Sequence, residues 1–302
     1  NGVSTSNRLL QYIKGEQFGI NNIPLLKGYS YNAPLDKHFP LIDGKPFLTY
    51  DAIKQKYITV DNGEYSKTNY SDEFSMYFPR LFNQKNESKY KLWTTIKGEP
   101  INYRVNGETK TIYKPTYIEN FNFFVEYQVS WLYLRYLYWN FIGKQNNNHG
   151  IGYIKDGNWI SGINNIDKKR VGDFYNMPKR FRNDKSRNAY YFIPFIFGIL
   201  GLLSLVKQKQ YFLTTVFIFL AFGIGITLYV NPVPHSILVR ERDYIFIGSF
   251  IIFSLWVGLS IIFIYNSLRS LFTSKIRLIA ISVLVLIGAP LQMLAKGWND
   301  HQ

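Results

Sequence analysis

The stretch V-R-E-R-D-Y, residues 239–244, lies between two long apolar runs, 211–230 and 244–265. Four ionised groups in a row, Arg240, Glu241, Arg242 and Asp243, therefore stand at the mouth of an apolar helix. A charge at the centre of a bilayer costs about 2.5–3.5 kcal/mol or more, so the cluster belongs at the membrane interface or in a polar cavity. It sets the broad class, a membrane protein, and marks where chemistry is expected.

Outward from this point the chain divides near residue 189. Residues 1–189 carry 27 Lys and Arg against 17 Asp and Glu, and residues 190–302 carry 8 against 3. The second part holds four apolar runs, 190–206, 211–230, 244–265 and 276–294. A spanning helix needs about 20 apolar residues, with roughly 17 as the lower limit. The expectation is a membrane α-helical bundle of four spans, with 190–206 at that limit. Ala221 and Gly225, and Ser254 and Gly258, have the spacing that lets membrane helices approach closely. Small residues are also simply common in such helices.

The chain starts at Asn1 with no targeting segment, so it reads as a piece of a longer protein. There is no cysteine, which excludes disulfides and thiolate metal sites. The basic residues are dispersed among Asn, Tyr and Phe without a stripe. Nucleic acid is not expected as a partner, and attraction to anionic lipid explains the charge better.

The first part reads as an extramembrane α+β region over 1–116. Residues 6–17 form a short helix capped by Ser6 or Asn7. Residues 28–34 form a turn, and 41–115 read as strands. The clearest hairpin spans 101–113, where Asn106-Gly107 supplies the positive-φ pair of a type I′ turn. A second Asn-Gly, Asn62-Gly63, follows the alternating run 57–60.

Residues 117–189 form the next region. The run 117–142 is dense in aromatics interrupted by Glu126, Gln128, Arg135 and Asn140. It reads as a helix lying in or near the interface and packed against the bundle, with a buried core helix as the competing reading. The bundle itself takes 190–302. Lys and Arg at the loop ends favour 1–189, the R-E-R-D loop and the C-terminus on the outer side.

Common catalytic signatures are missing, and His38, His149, His235 and His301 lack metal-ligand spacing, so neither a metal nor a cofactor is expected. The R-E-R-D cluster has two readings. Glu241 and Asp243 suit a helix N-terminus, with the Arg pair neutralising them. Alternatively Arg240 and Arg242 clamp a lipid phosphate, since guanidinium matches phosphate bidentately, with Glu241, Asp243 and Tyr244 in support. Asn140, Gln145 and Trp159 are side chains of the kind that bind sugar hydroxyls and sugar faces, and equally of the kind that cap loops.

Several motifs together carry a resemblance. They are G-E-Q-F-G (15–19), P-L-L-K-G-Y-S-Y-N-A-P (24–34), Y-F-P-R-L-F (77–82) and F-F-V-E-Y-Q-V-S-W-L-Y-L-R-Y-L-Y-W-N-F-I-G-K-Q-N (123–146). G-N-W-I-S-G-I (157–163), R-E-R-D-Y-I-F-I-G-S-F (240–250) and W-N-D-H (298–301) continue it. The chain resembles a Bacteroidetes multipass membrane family of unassigned function, related to eukaryotic transmembrane protein O-mannosyltransferases of the GT-C type. It departs from the family pattern at Lys144, Asn147 and Asn299.

The resemblance implies an inner-membrane enzyme with residues 1–189 on the periplasmic side. Its reaction moves a sugar, mannose, from a polyprenyl-phosphate donor to protein Ser or Thr. The bilayer, the lipid-linked sugar, an acceptor protein and further membrane helices of the same protein are the implied partners. The family's acidic loop, which would supply the catalytic base, has no counterpart here, so no catalytic residue is expected in this chain. A non-catalytic scaffold of an envelope or export complex is the alternative, and a lipid or glycan transporter a third. An enzyme predicts an enclosed polar cavity beside Arg240 or Arg242, and a scaffold a large exposed apolar patch.

Overall fold

The computed structural model describes residues 27–43, 47–51, 53–60, 66–105, 108–234, 242–269 and 274–298. The chain divides into two compact units, Asn1–Phe124 and Val125–Gln302.

The first unit is α+β, built from antiparallel strand pairs. Lys27–Tyr29 pairs with Ser75–Tyr77, Leu41–Asp43 with Ser66–Thr68, and Phe47–Asp51 with Lys56–Val60. Glu99–Val105 pairs with Glu108–Lys114, and Val105 stands opposite Glu108. This is the expected hairpin with a two-residue connection, although 106–107 themselves lie outside the described residues. So do the expected helix over 6–17 and the Asn62-Gly63 turn.

Its core is small and aromatic. Ala33, Phe74 and Tyr103 are buried together, with Phe74 edge-on to Tyr103 at 5.9 Å. Tyr90 meets Phe123 edge-on at 5.0 Å. The helix Tyr117–Phe123 starts at a capping box in which Thr116 and Glu119 satisfy each other's backbone N–H. One turn on, the Asn120 side-chain oxygen accepts from the Arg80 and Leu81 amides at 2.7 and 2.9 Å. That contact fixes the Y-F-P-R-L-F segment on the helix. Arg80 is fully buried, its guanidinium 4.0 Å from the Phe78 ring. Burial lowers its pKa to about 10, still above neutrality, so it stays a cation held against aromatic faces.

The second unit is helical. Among its described residues two helices are long and apolar enough to cross a membrane, Lys209–Val230 and Asp243–Leu268. Four were expected. The run 190–206 is helical only over the 12 residues Ile193–Ser204. At 1.5 Å per residue that is about 18 Å, short of a hydrocarbon core of about 30 Å. The run 276–294 lies in the 23-residue helix Lys275–Gly297, which carries Pro290 inside it. Most of the apolar surface of these two long helices is not buried within the chain. The first ends at Asn231, which takes the left-handed conformation, followed by Pro232 and Pro234.

The aromatic run is helical but not α-helical throughout. Phe124–Leu134 is a π-helix and Arg135–Phe141 an α-helix. In an α-helix residues five apart point about 140° away from each other. The wider π turn brings them back toward one face, and Gln128 and Tyr133 are both buried. Tyr136, Trp139, Leu137 and Phe141 continue this buried side, packed against the two long apolar helices.

Glycine at two other positions sets the helix packing. Gly198 faces Phe253, and a Cβ on Gly201 would stand 2.5 Å from the Trp256 carbonyl carbon. Gly198 with Phe253 and Gly201 with Trp256 advance together, so Ile193–Ser204 runs parallel to Asp243–Leu268. The small-residue pairs singled out in the sequence do not carry such contacts. A Cβ on Gly258 meets nothing within 4 Å, and one on Gly225 meets only its own helix.

Candidate functional site

The π-helix braces the polar connection between the two long apolar helices. Gln128 is completely buried, and its amide nitrogen donates to Asn231 Oδ1 and to the Pro232 carbonyl, both at 2.9 Å. Its Oε1 has no hydrogen-bond partner. Tyr127 donates to the Val233 carbonyl at 3.3 Å. On the far side of the connection the Tyr133 hydroxyl and Ser249 Oγ lie 2.6 Å apart. The Arg242 backbone N–H donates to Tyr136 Oη at 3.3 Å. One buried helix face therefore holds the end of the first long helix and the start of the second.

Arg240 and Glu241 lie outside the described residues. Arg242 is exposed and immediately precedes the 3₁₀ turn Asp243–Phe246 that opens the second long helix. Asp243 sits in that first turn, where the helix dipole favours an anion. Tyr244 is exposed. The backbone at Arg242 is thus anchored while its guanidinium faces outward.

The sugar-type side chains are engaged within the chain. Asn140 donates to the Tyr136 carbonyl at 2.8 Å, which puts it on the same helix turn as the Arg242 contact. Gln145 donates to the Ile154 carbonyl and accepts from both nitrogens of Asn158. Asn146 closes the same loop, donating to Lys155 and accepting from Gly157. Trp159 packs edge-on to Tyr138 at 5.0 Å, with the Arg170 guanidinium 3.5 Å over its ring. Gln145 and Trp159 are thus held by the loop and its neighbours.

Arg135, 2 % exposed, supports that loop. It donates from Nε to the Trp131 carbonyl and from Nη1 to the Gly157 carbonyl, at 2.9 and 2.8 Å. Its guanidinium lies within 4.6 Å of the rings of Trp131, Tyr136 and Trp139. Three aromatic faces and two carbonyls offset the cost of burying the charge.

A cavity of about 290 Å³ opens elsewhere, lined by Phe141, Ser254, Val257, Gly258, Pro290 and Met293. Its walls are apolar, and Arg242 does not line it. Among the described residues no three His, Asp or Glu gather as metal ligands.

The residues that sequence reasoning missed are Tyr127, Tyr133, Tyr136, Asn231 and Ser249. Gln128 was visible only as a polar interruption of an aromatic run. The available signal was the N-P-V-P stop at 231–234, which needs polar partners wherever it is buried.

Residues 21–125 match the model of a family of unknown function (DUF8416). The matched stretch ends at the border of the first compact unit. No curated protein and no solved structure matches the chain.

Proposed function

We propose that this chain serves glycosyl transfer at a membrane surface in the manner of GT-C enzymes, its R-E-R-D segment holding the phosphate of a polyprenyl-phosphate sugar. The sugar is mannose and the acceptor a protein Ser or Thr. The proposal includes a multipass placement in an inner membrane, with residues 1–189 and the R-E-R-D segment on the periplasmic side. No residue here is assigned as the catalytic base.

The observation that carries this reading is the setting of Arg242. It is an exposed guanidinium at the first turn of a membrane-length helix, with its backbone tied to Tyr136. Headgroup depth is where a lipid phosphate lies, and a planar fork suits it. The test is transfer from a synthetic polyprenyl-phosphate mannose in native membranes, normalised to inserted protein. Arg242→Lys keeps the charge but loses the fork. A charge-assisted bond is worth about 1.5–3 kcal/mol, so transfer should fall roughly 10–100-fold. Wild-type transfer in that variant, at equal protein, would leave the segment as a helix cap.

A non-catalytic scaffold is the second reading. The exposed apolar side chains of the two long helices, among them Leu213, Phe217, Ile251 and Leu255, favour it. It predicts no transfer activity in any preparation of the wild type, together with stable co-purification of a membrane complex.

A further inference from the structure

The segment 167–187 is the most strongly basic part of the second unit, with eight Lys and Arg against three Asp. Asp167 is buried, and Asp173 and Asp184 are half-buried and engaged by partners within the segment. Asp167 accepts from the Ser161 and Gly162 amides and from Arg170. Asp173 pairs with Lys168 at 3.1 Å and accepts from the Tyr175 amide. Asp184 accepts from the amide and hydroxyl of Ser186. Of the cations, Lys168 is paired with Asp173, Arg170 lies over Trp159 and Arg187 over Phe174 at 4.6 Å, and Arg182 is half-buried; Arg180 lies 4.9 Å over the Phe181 ring but stays exposed. What remains outward is Lys169, Lys179, Arg180 and Lys185, all exposed, with Tyr175 70 % exposed among them.

The helix packing fixes where this surface lies. The apolar helix Ile193–Ser204 begins six residues after Arg187 and runs parallel to Asp243–Leu268 through Gly198 and Gly201. Its N-terminal end therefore stands beside the N-terminal end of that membrane-length helix. The basic segment leads into this end, at the depth where an apolar helix emerges from hydrocarbon. Exposed Tyr175 and Tyr191 suit the same depth, having an apolar body and a polar tip.

We propose that residues 167–187 form a docking surface for the anionic headgroups of lipids in the leaflet that receives these two helix ends. The argument is charge complementarity at a fixed depth. Four exposed cations, with no fully exposed carboxylate in the same segment, meet a layer of phosphate, and the apolar helix holds them there. The proposal stands whether or not the R-E-R-D segment binds a lipid-linked sugar.

The full chain would be reconstituted in phosphatidylcholine bilayers carrying a trace of spin-labelled phosphatidylglycerol or spin-labelled phosphatidylcholine. The ratio of the motionally restricted fractions reports headgroup preference at the protein surface. Each juxtamembrane cation contributes about fivefold to attraction at an anionic surface. Phosphatidylglycerol should be preferred several-fold, and a variant with Lys169→Gln, Lys179→Gln, Arg180→Gln and Lys185→Gln should lose most of that preference while keeping its helix content. Raising salt from about 0.1 M to about 1 M shortens the screening length from about 10 Å to about 3 Å and should have the same effect on the unaltered protein. Two results would overturn the proposal. One is a preference that survives both the neutralised variant and high salt. The other is displacement of the lipid by stoichiometric polyglutamate, which would make an acidic polypeptide the partner.

Discussion

Replacing Gly201 by Ala should separate two helices that the structure holds backbone to backbone. An added Cβ would overlap the Trp256 carbonyl oxygen and stand 2.5 Å from its carbonyl carbon and 3.0 Å from the Ser260 nitrogen. Carbon contacts are comfortable at about 3.5–4.0 Å, so the helices must part by more than about 1 Å. The obstacle is backbone, which cannot rotate aside as a side chain can. Overpacking of this kind costs about 1–3 kcal/mol. Ala also gains about 0.8–1.0 kcal/mol of helix propensity over Gly, which partly masks the loss. Gly258→Ala removes the ambiguity. It lies on the partner helix and gains the same propensity, but its Cβ meets nothing within 4 Å. The difference between the two variants isolates the packing cost. Gly201→Ala should be less stable than Gly258→Ala by about 1–3 kcal/mol. Equilibrium unfolding of the full chain in mixed micelles, followed by Trp fluorescence, measures that difference. Equal stability of the two variants, or greater damage at Gly258, would refute the assigned helix interface.

Three further outcomes follow from buried polar contacts. Glu119→Gln should loosen the first unit by about 1–3 kcal/mol, since an amide cannot accept from Lys97, Gly98 and Thr116 together, and hydrogen exchange at the Lys97 and Gly98 amides reads it. Burial pushes the Glu119 pKa up, but the Thr116, Gly98 and Lys97 amides outweigh it and the net shift is downward. A depressed carboxylate stabilises above its unfolded value of about 4.3, and that stability should disappear as pH falls through the lower folded value. Arg135→Lys gives up the fork shared by two carbonyls and should cost about 2–3 kcal/mol, seen as a lower melting temperature with no change in the hairpin of the first unit. Gln128→Leu removes both bonds to the 231–232 segment, so proteolysis between the long helices should accelerate while helix content holds.

Much of the fold is legible from local chemistry. Asn106-Gly107 between alternating strands specifies a hairpin, and the register on either side agrees. The stop at Asn231-Pro232 and the start at Asp243 bound the connection. What misleads is chemistry that depends on a partner. Ser254–Gly258 and Gly198–Gly201 are equally small in sequence, but only the second pair meets another helix closely. The π register over Phe124–Leu134 has no local signature. Its consequence, a hidden Gln128 that anchors the far end of another helix, depends on residues a hundred positions away. The helix Ile193–Ser204 is shorter than the apolar run 190–206 because Tyr191 and Phe192 take left-handed backbone conformations before it and the backbone turns at Leu205–Lys207 after it, while hydropathy continues through both ends.

The distribution of polarity in the second unit argues for a membrane setting independently of helix length. Its outward side chains include Leu213, Phe217, Phe222, Ile251 and Leu255. Its buried ones include Gln128, Arg135, Thr227, Ser249 and Ser260. Water would favour the reverse, because burying the first group would release about 25 cal/mol per Å² and exposing the second would solvate it. Hydrocarbon removes the first incentive, since lipid tails are as apolar as Leu. It strengthens the second, since a polar side chain facing lipid has no solvent to bond. Thr227 and Ser260 bond the Ile224 and Val257 carbonyls of their own helices, and Tyr133 bonds Ser249 across helices. The same reasoning explains the exposed Arg242: it stands at the helix end, where bonding partners outside hydrocarbon are available, while Arg135 must find all of its own inside the protein.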